Sequence, residues 1–232
     1  AENGCENVRS ITPADVKKKV AVIGGGPAGL EAARVAALRG HSVTLFERET
    51  ELGGQLNLAC LPPRKSEMRR ATQDLIHAVQ RAGVRLCLGC TVTEQLLLDE
   101  KFDAVIVAVG AHNAAPAIPG KENINVADAW SVLAGREQVY GKVAVIGGGL
   151  VGSETAELLA EQGCHVSVIE MMDKIAAAES TTILPTLMES FKAHGVQQFP
   201  GHKVKQFTTD AVICESKDGA EVTIPCDYIV LA

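Results

Sequence analysis

Residues Val20 to Glu47 read VAVIGGGPAGLEAARVAALRGHSVTLFE: a buried strand, a glycine turn, a helix and a second strand ending on a carboxylate. Gly24, Gly26 and Gly29 place G-x-G-x-x-G between strand and helix, the context in which that pattern binds dinucleotides. Gly24 allows the tight turn, Gly26 lets the backbone approach a pyrophosphate, and Gly29 lets the helix lie close on the strand. The helix start then offers unpaired N–H groups and a partial positive charge to phosphate. Glu47, 18 residues past Gly29, is placed to accept hydrogen bonds from an adenosine ribose.

The unit comes twice. Val143 to Glu170 reads VAVIGGGLVGSETAELLAEQGCHVSVIE, with each landmark displaced by 123 residues. Gly24 maps to Gly147, Gly26 to Gly149, Gly29 to Gly152, the helix-ending Gly40 to Gly163 and Glu47 to Glu170. Glycines that merely join strands to helices would account poorly for one copy and worse for two in register. The fold expected is α/β: two Rossmann-like three-layer dinucleotide-binding domains with central parallel sheets, over residues 1–122 and 123–232.

Composition agrees. Hydrophobic residues make up 47% and only eight residues are aromatic, so the core must be aliphatic, as parallel strands buried on both faces require. The net charge of −6, with no basic run beyond Lys17-Lys18-Lys19, argues against a nucleic-acid or membrane-surface partner. No apolar stretch approaches the roughly 18 residues of a spanning helix. Seven cysteines without framework spacing fit a reducing cytoplasm. The six histidines show no metal spacing, and His112 reads as a loop histidine.

Between the landmarks, residues 1–18 read as a lead-in and Lys65 to Ala82 as a helix closed by Gly83. Val84 to Leu88 and Cys90 to Thr93 read as short strands, and Asp103 to Val109 as a fully buried strand ending at Gly110-Ala111. Asp128 is expected to cap a short helix through Leu133, and a helix runs from about Thr182 to His194. A hairpin-rich antiparallel segment follows from Val204 to Pro225, turning at Asp218-Gly219. Asp227 to Ala232 echoes the Asp103 strand, whose closing glycine would recur at position 234. That ending, and a start at Ala1 without Met, suggest a piece of a longer chain.

The paired glycine motifs, the Gly53-Gly54-Gln55-Leu56-Asn57 segment and the strand ending at Gly110 together resemble the two-dinucleotide-binding flavoproteins. LGGQLNLACLPPRK narrows the resemblance to the C-terminal half of the 2,4-dienoyl-CoA reductase, 2-enoate reductase and trimethylamine dehydrogenase group. The resemblance implies FAD in the first unit and NAD(H) in the second. FMN and an iron–sulfur cluster would belong to an N-terminal barrel domain outside this sequence. It implies that Gly24, Gly26, Pro27, Ala28 and Gly29 hold the flavin pyrophosphate and that Glu47, followed by Arg48, takes the ribose. Gly54, Gln55 and Leu56 would lie along the flavin, Val92 would offer a backbone contact to adenine or be plain core, and Gly110-Ala111 would close over the pyrophosphate. In the second unit Gly147, Gly149, Leu150, Val151 and Gly152 would cradle the nicotinamide dinucleotide. Glu154 stands near its nicotinamide end or is an exposed helix charge.

Glu170 selects the dinucleotide. A 2′-phosphate at about 4 Å from a carboxylate is repelled by roughly 4 kcal/mol per charge pair at an effective dielectric near 20. Met171-Met172-Asp173 offer no offsetting cation, although Lys174 is close, so NADH is favoured over NADPH. Hydride transfer from nicotinamide to flavin demands no side-chain acid or base, so no catalytic residue and no metal site are expected. Cys87 and Cys90 form a C-x-x-C, which elsewhere can be a redox pair. The repeat sets AGVRLCLGCTV against AHGVQQFPGHKV, placing them opposite Phe199 and His202, and core packing is the reading. Only Cys60 follows Gly53-Gly54, which disfavours disulfide reduction. The function expected is a flavin oxidoreductase module passing hydride from NADH to FAD, for reduction of an enoate or enoyl thioester. The alternatives are a nucleotide-binding module without turnover and an electron-transfer subunit of a glutamate synthase-like complex.

Overall fold

A computed structural model describes residues 4, 5, 8, 10–114 and 116–232. The lead-in expected over residues 1–18 lies partly outside the described residues. The chain forms two compact units, residues 1–60 with 65–111, and residues 61–64 with 112–232.

In the first unit β1 (Lys19–Ile23), α1 (Pro27–Leu38) and β2 (Ser42–Phe46) follow the glycine-turn plan. They are joined by α2 (Leu56–Ala59), α3 (Glu67–Arg81), β3 (Arg85–Cys87), α4 (Glu94–Glu100) and β4 (Ala104–Val107). The four strands are parallel in the order β3-β2-β1-β4. Val20, Val22, Val43 and Leu45 project from one face onto Leu30 and Ala33 of α1 and Val79 of α3. Lys19 N–H donates to Asp103 Oδ2 at 2.7 Å, fixing the start of β1 beside that of β4.

Two expectations change here. Cys90 to Thr93 is not a strand; it leads into α4, which Thr93 caps by accepting from Leu96 N–H at 3.3 Å. The segment from Asp103 is not fully buried either. β4 is an edge strand, and Val105, Ile106, Val107 and Val109 are 42%, 36%, 67% and 67% exposed. A continuous apolar run reports burial only where neighbours cover both faces and both edges.

The second unit supplies that contrast. Its strands are β5 (Asn125–Asp128), β6 (Lys142–Ile146), β7 (His165–Glu170), β8 (Gln197–Pro200) and β12 (Tyr228–Leu231), parallel in the order β5-β12-β6-β7-β8. One face carries α5 (Ala129–Leu133), α6 (Leu150–Glu161) and α7 (Leu184–Ala193), with Val143, Val145, Leu159 and Phe191 at the centre. The other face carries the antiparallel sheet β9 (His202–Phe207), β10 (Ala211–Ser216) and β11 (Glu221–Pro225). Its Phe207, Val212 and Ile224 pack on Ala144, Ile229 and Leu231. Helix α5 is capped as its sequence indicates, Asp128 Oδ1 accepting from Trp130 and Ser131 N–H at 2.9 and 3.1 Å. Lys142 N–H donates to Asp227 Oδ2 at 2.8 Å, repeating the Lys19–Asp103 contact.

Candidate dinucleotide-binding sites

Each glycine turn is shaped by contacts a side chain would obstruct. A Cβ on Gly29 would lie 1.9 Å from the Gly24 carbonyl oxygen, and one on Gly152 would lie 1.8 Å from that of Gly147. Gly24 and Gly147 have φ of +108° and +100°, and a Cβ there would meet the carbonyl oxygens of Ala108 and Ala232 at 2.2 and 2.6 Å. These four positions must be bare. Gly26 and Gly149 differ: a Cβ on Gly26 would find only Gly54 Cα at 3.9 Å, and one on Gly149 nothing within 4 Å. Both begin their helices without a side-chain cap, as a helix start that is to bind an anion requires.

The two glutamates sit at the ends of β2 and β7 and do more than wait for a sugar. Glu47, 8% exposed, accepts from Gly25 N–H at 2.6 Å with Oε2 and from Glu49 N–H at 2.9 Å with Oε1. Glu170 accepts from Gly148 N–H and Met172 N–H, both at 2.8 Å. Each carboxylate thus staples its glycine turn to the turn following its own strand. Gly25 and Gly148 were missed as site residues. The signal was the unbroken Gly-Gly-Gly run in both copies, whose middle member donates to the acid. A Cβ on Gly25 would meet Leu52 Cδ2 at 2.5 Å, and one on Gly148 would meet Glu170 Cβ at 2.9 Å.

In the first unit the remaining expected residues converge on the same turn. Gly53 N–H donates to the Gly25 carbonyl at 2.9 Å, and a Cβ on Gly54 would lie 2.9 Å from Gly26 Cα. Gln55 Nε2 donates to the Ala111 carbonyl at 2.7 Å, bringing Gln55 to Gly110-Ala111. Leu56 opens α2 and is partly buried, as is Val92, which lies in the loop before Thr93 and not on a strand edge. Pro27 and Ala28 are exposed on the first turn of α1, and Arg48 is exposed with Nε 3.1 Å from Glu49 Oε1. His112 is exposed.

In the second unit Leu150 and Val151 are 40% and 39% exposed at the first turn of α6, and Glu154 is partly buried one turn further on. Two charged contacts there lay outside the sequence reading because they join residues far apart in the chain. Glu157, 3% exposed on α6, pairs with the Arg64 guanidinium, which also approaches Glu161 at 3.6 Å. Lys217, at the turn between β10 and β11, pairs with Asp173. Lys217 thus brings a cation beside Asp173, three residues past Glu170, with its charge engaged by that carboxylate. Among the described residues no three His, Cys, Asp or Glu side chains gather as a metal set.

Comparison with known proteins decides the family. Residues 18–232 match the model of the pyridine nucleotide-disulphide oxidoreductases. The chain belongs to that family. It is 56% identical over its whole length to a bilirubin reductase of Mediterraneibacter gnavus and 40% identical over 99% of its length to an NADH oxidase of Thermoanaerobacter brockii. It spans 36% of the length of each of these curated relatives. A solved 2-naphthoyl-CoA reductase superposes with a TM-score of 0.90 at 30% identity, over 96% of this chain and 34% of that one. The narrower resemblance read from LGGQLNLACLPPRK stands with these relatives, and the protein is a flavoprotein oxidoreductase module that binds FAD and a nicotinamide dinucleotide. No helix among the described residues is long and apolar enough to cross a membrane.

Proposed function

We propose that the first unit holds FAD, the second holds NADH, and the chain passes hydride from NADH to FAD and electrons onward to a domain carrying FMN and an iron–sulfur cluster. The observation that carries this reading is the matched pair of staples, Glu47 to Gly25 and Glu170 to Gly148, each beside a helix start that no side chain caps. The cofactors supply the redox chemistry, and the protein supplies position and electrostatics. Gly24, Gly26, Pro27, Ala28 and Gly29 would hold the flavin pyrophosphate, with Glu47 on its ribose and Gly54, Gln55, Leu56, Gly110 and Ala111 along its length. Gly147, Gly149, Leu150, Val151 and Gly152 would hold the nicotinamide dinucleotide, with Glu170 on its ribose and Glu154 toward its far end.

For the whole protein, the likeness to reductases of bilirubin and 2-naphthoyl-CoA supports reduction of an enoate or enoyl thioester. Free cysteines and the charge pattern fit a cytoplasmic protein.

Anaerobic mixing of the FAD-loaded chain with NADH tests the central step. Bleaching of the flavin absorbance by NADH, with NADPH at least tenfold weaker by dissociation constant, is the expected outcome. Flavin bound but left oxidised by both nucleotides would leave a nucleotide-binding module without turnover. Glu170→Ala should narrow the NADH-to-NADPH ratio by removing the repelling charge. NADPH binding tighter than NADH in the unaltered protein would overturn the charge argument.

A further inference from the structure

Cys87 and Cys90 were read as core, and the structure places them otherwise. Both are partly exposed and line one cavity of about 210 Å³, with Thr44, Phe46, Arg85, Leu96, Glu100 and Phe102 as its other walls. In an extended strand, residues three apart point to opposite faces. Here the backbone corrects that. The Cys87 carbonyl accepts from Glu47 N–H at 2.9 Å, but it is Cys90 N–H, not Gly89, that donates to the Glu47 carbonyl at 2.9 Å. The extra residue is Gly89, at φ +64°, and the bulge it makes turns both cysteines to the same side.

The second unit shows what such a bulge does to side chains. Gly201, at φ +69°, donates to the Met172 carbonyl at 2.8 Å, as Gly89 donates to the Glu49 carbonyl at 2.9 Å. Phe199 pairs with Ile169 in register, as Cys87 pairs with Phe46. The residues matching the two cysteines are Phe199 and His202, and their rings pack edge to face with centroids 5.6 Å apart. The repeat that spoke for core packing therefore places the side chains at these two positions together. Cys214 and Cys226 of the second unit are buried in its core instead. Burial pushes the Cys214 and Cys226 thiols up to about 11 and about 12, so they stay protonated and inert.

We propose that Cys87 and Cys90 form a reversible intramolecular disulfide, a modification site that senses low-molecular-weight disulfides and is coupled to the flavin site through Glu47. One cysteine thiolate attacks a sulfur of oxidised glutathione and expels one glutathione thiolate. The second cysteine attacks the mixed disulfide and expels the other. Two protein thiols are oxidised, one small disulfide is reduced to two thiols, and each protein thiol proton passes to a glutathione. Closing the bond draws Cys87 and Cys90 together around the Glu47 peptide, whose N–H and carbonyl they hold, and so disturbs the carboxylate that grips Gly25. The coupling, though not the disulfide itself, rests on the first unit being the FAD site.

The test equilibrates the full chain in glutathione redox buffers, blocks free thiols and maps tryptic peptides. Residues 86–101 fall in one peptide containing both cysteines. The expected result is loss of two hydrogens from that peptide, reversed by dithiothreitol. Cys87→Ser and Cys90→Ser should each carry a single glutathione adduct instead. Glutathione on both cysteines of the unaltered chain, or neither modified at an oxidising poise, would overturn the proposal. FAD titration of the reduced and oxidised forms reads the coupling: oxidation should weaken FAD binding several-fold, and Cys87→Ser/Cys90→Ser should be insensitive to oxidation. Equal affinity of the two forms overturns the coupling alone. FAD bound by neither form would sink the flavin reading while the peptide map still decides the disulfide.

Discussion

β4 of the first unit and β12 of the second occupy the same place beside their glycine turns, and their surroundings differ. β12 has β5 on one side and β6 on the other, and Ile229 and Val230 are fully buried. β4 has β1 alone, and Val107 is 67% exposed. Yet a Cβ on Gly24 or Gly29 and one on Gly147 or Gly152 would meet the matching carbonyl oxygens, all at 2.6 Å or less. The geometry of a phosphate cradle is therefore set locally, by the glycines and the acid, and not by how completely the sheet around it is covered. Gly29→Ala and Gly152→Ala would break the comparison most severely. Each places a Cβ within 2 Å of a carbonyl oxygen that the backbone cannot move cheaply. Each should cost its own unit about 3 kcal/mol or more. Gly29→Ala should lose flavin on gel filtration while still binding NADH; Gly152→Ala should do the reverse. Loss of both ligands from either variant would show that the two turns are not independent.

The staples make a finer comparison. Glu47 is buried and Glu170 only partly so, although each accepts from backbone N–H groups at corresponding positions. Removing Glu47 strands a buried Gly25 N–H, for a cost of about 2–3 kcal/mol. Glu170 is itself partly exposed, so water replaces its carboxylate more readily, and its removal should cost less, about 1 kcal/mol. Urea midpoints of Glu47→Ala and Glu170→Ala measure the difference. Equal losses would mean that burial of the carboxylate does not govern the strength of the staple.

What could be read from the sequence follows the same division. The turns, the acids and the elements beside them were legible because their signals are local: glycine spacing, an aliphatic strand, Gly40 or Gly163 closing a helix. Asp128 capping α5 and Asp218-Gly219 turning a hairpin are local in the same sense. What was illegible depends on distant parts of the chain. Val105 and Val107 read as core because an edge strand has the same letters as a central one. Arg64 meeting Glu157, and Lys217 meeting Asp173, join residues 93 and 44 apart. Cys87 and Cys90 were misjudged for a subtler reason. Alignment to Phe199 and His202 tells which positions correspond, but only the bulge at Gly89 tells that both line one cavity.

One buried cysteine of the second unit gives its stability a pH dependence. Cys226 is held protonated up to about 12, mainly by burial and then by Asp227 and Asp210. A folded-state pKa raised in this way leaves stability intact below the unfolded thiol's value of about 8.5. From there to about 12 the unfolded thiol ionises and the folded one does not, so stability falls by up to about 1.4 kcal/mol per pH unit. Denaturant midpoints taken between pH 8 and pH 10 should fall more steeply for the native chain than for Cys226→Ala. Parallel slopes would mean that water reaches this thiol in the folded state.

Ala176 offers the smallest and most direct comparison. It matches Gly53 in the repeat and makes the same bond, donating its N–H to the Gly148 carbonyl at 2.7 Å as Gly53 donates to that of Gly25 at 2.9 Å. Gly53 has φ of +116° and Ala176 φ of +51°, so the second unit sets an alanine in the left-handed region that the first gives to glycine. An L-residue there bears roughly 1 kcal/mol of steric cost. Ala176 is fully buried, so its methyl recovers part of that cost by packing with Val168 and Ile175 in the core. Relief of strain and loss of the methyl, about 0.8 kcal/mol, oppose each other in Ala176→Gly. The unfolded chain gains freedom as well, and the net change should be within about 1 kcal/mol of zero with NADH affinity unchanged. A loss of NADH binding without a loss of stability would instead show that the methyl, and not the backbone bond, positions the turn at Gly148.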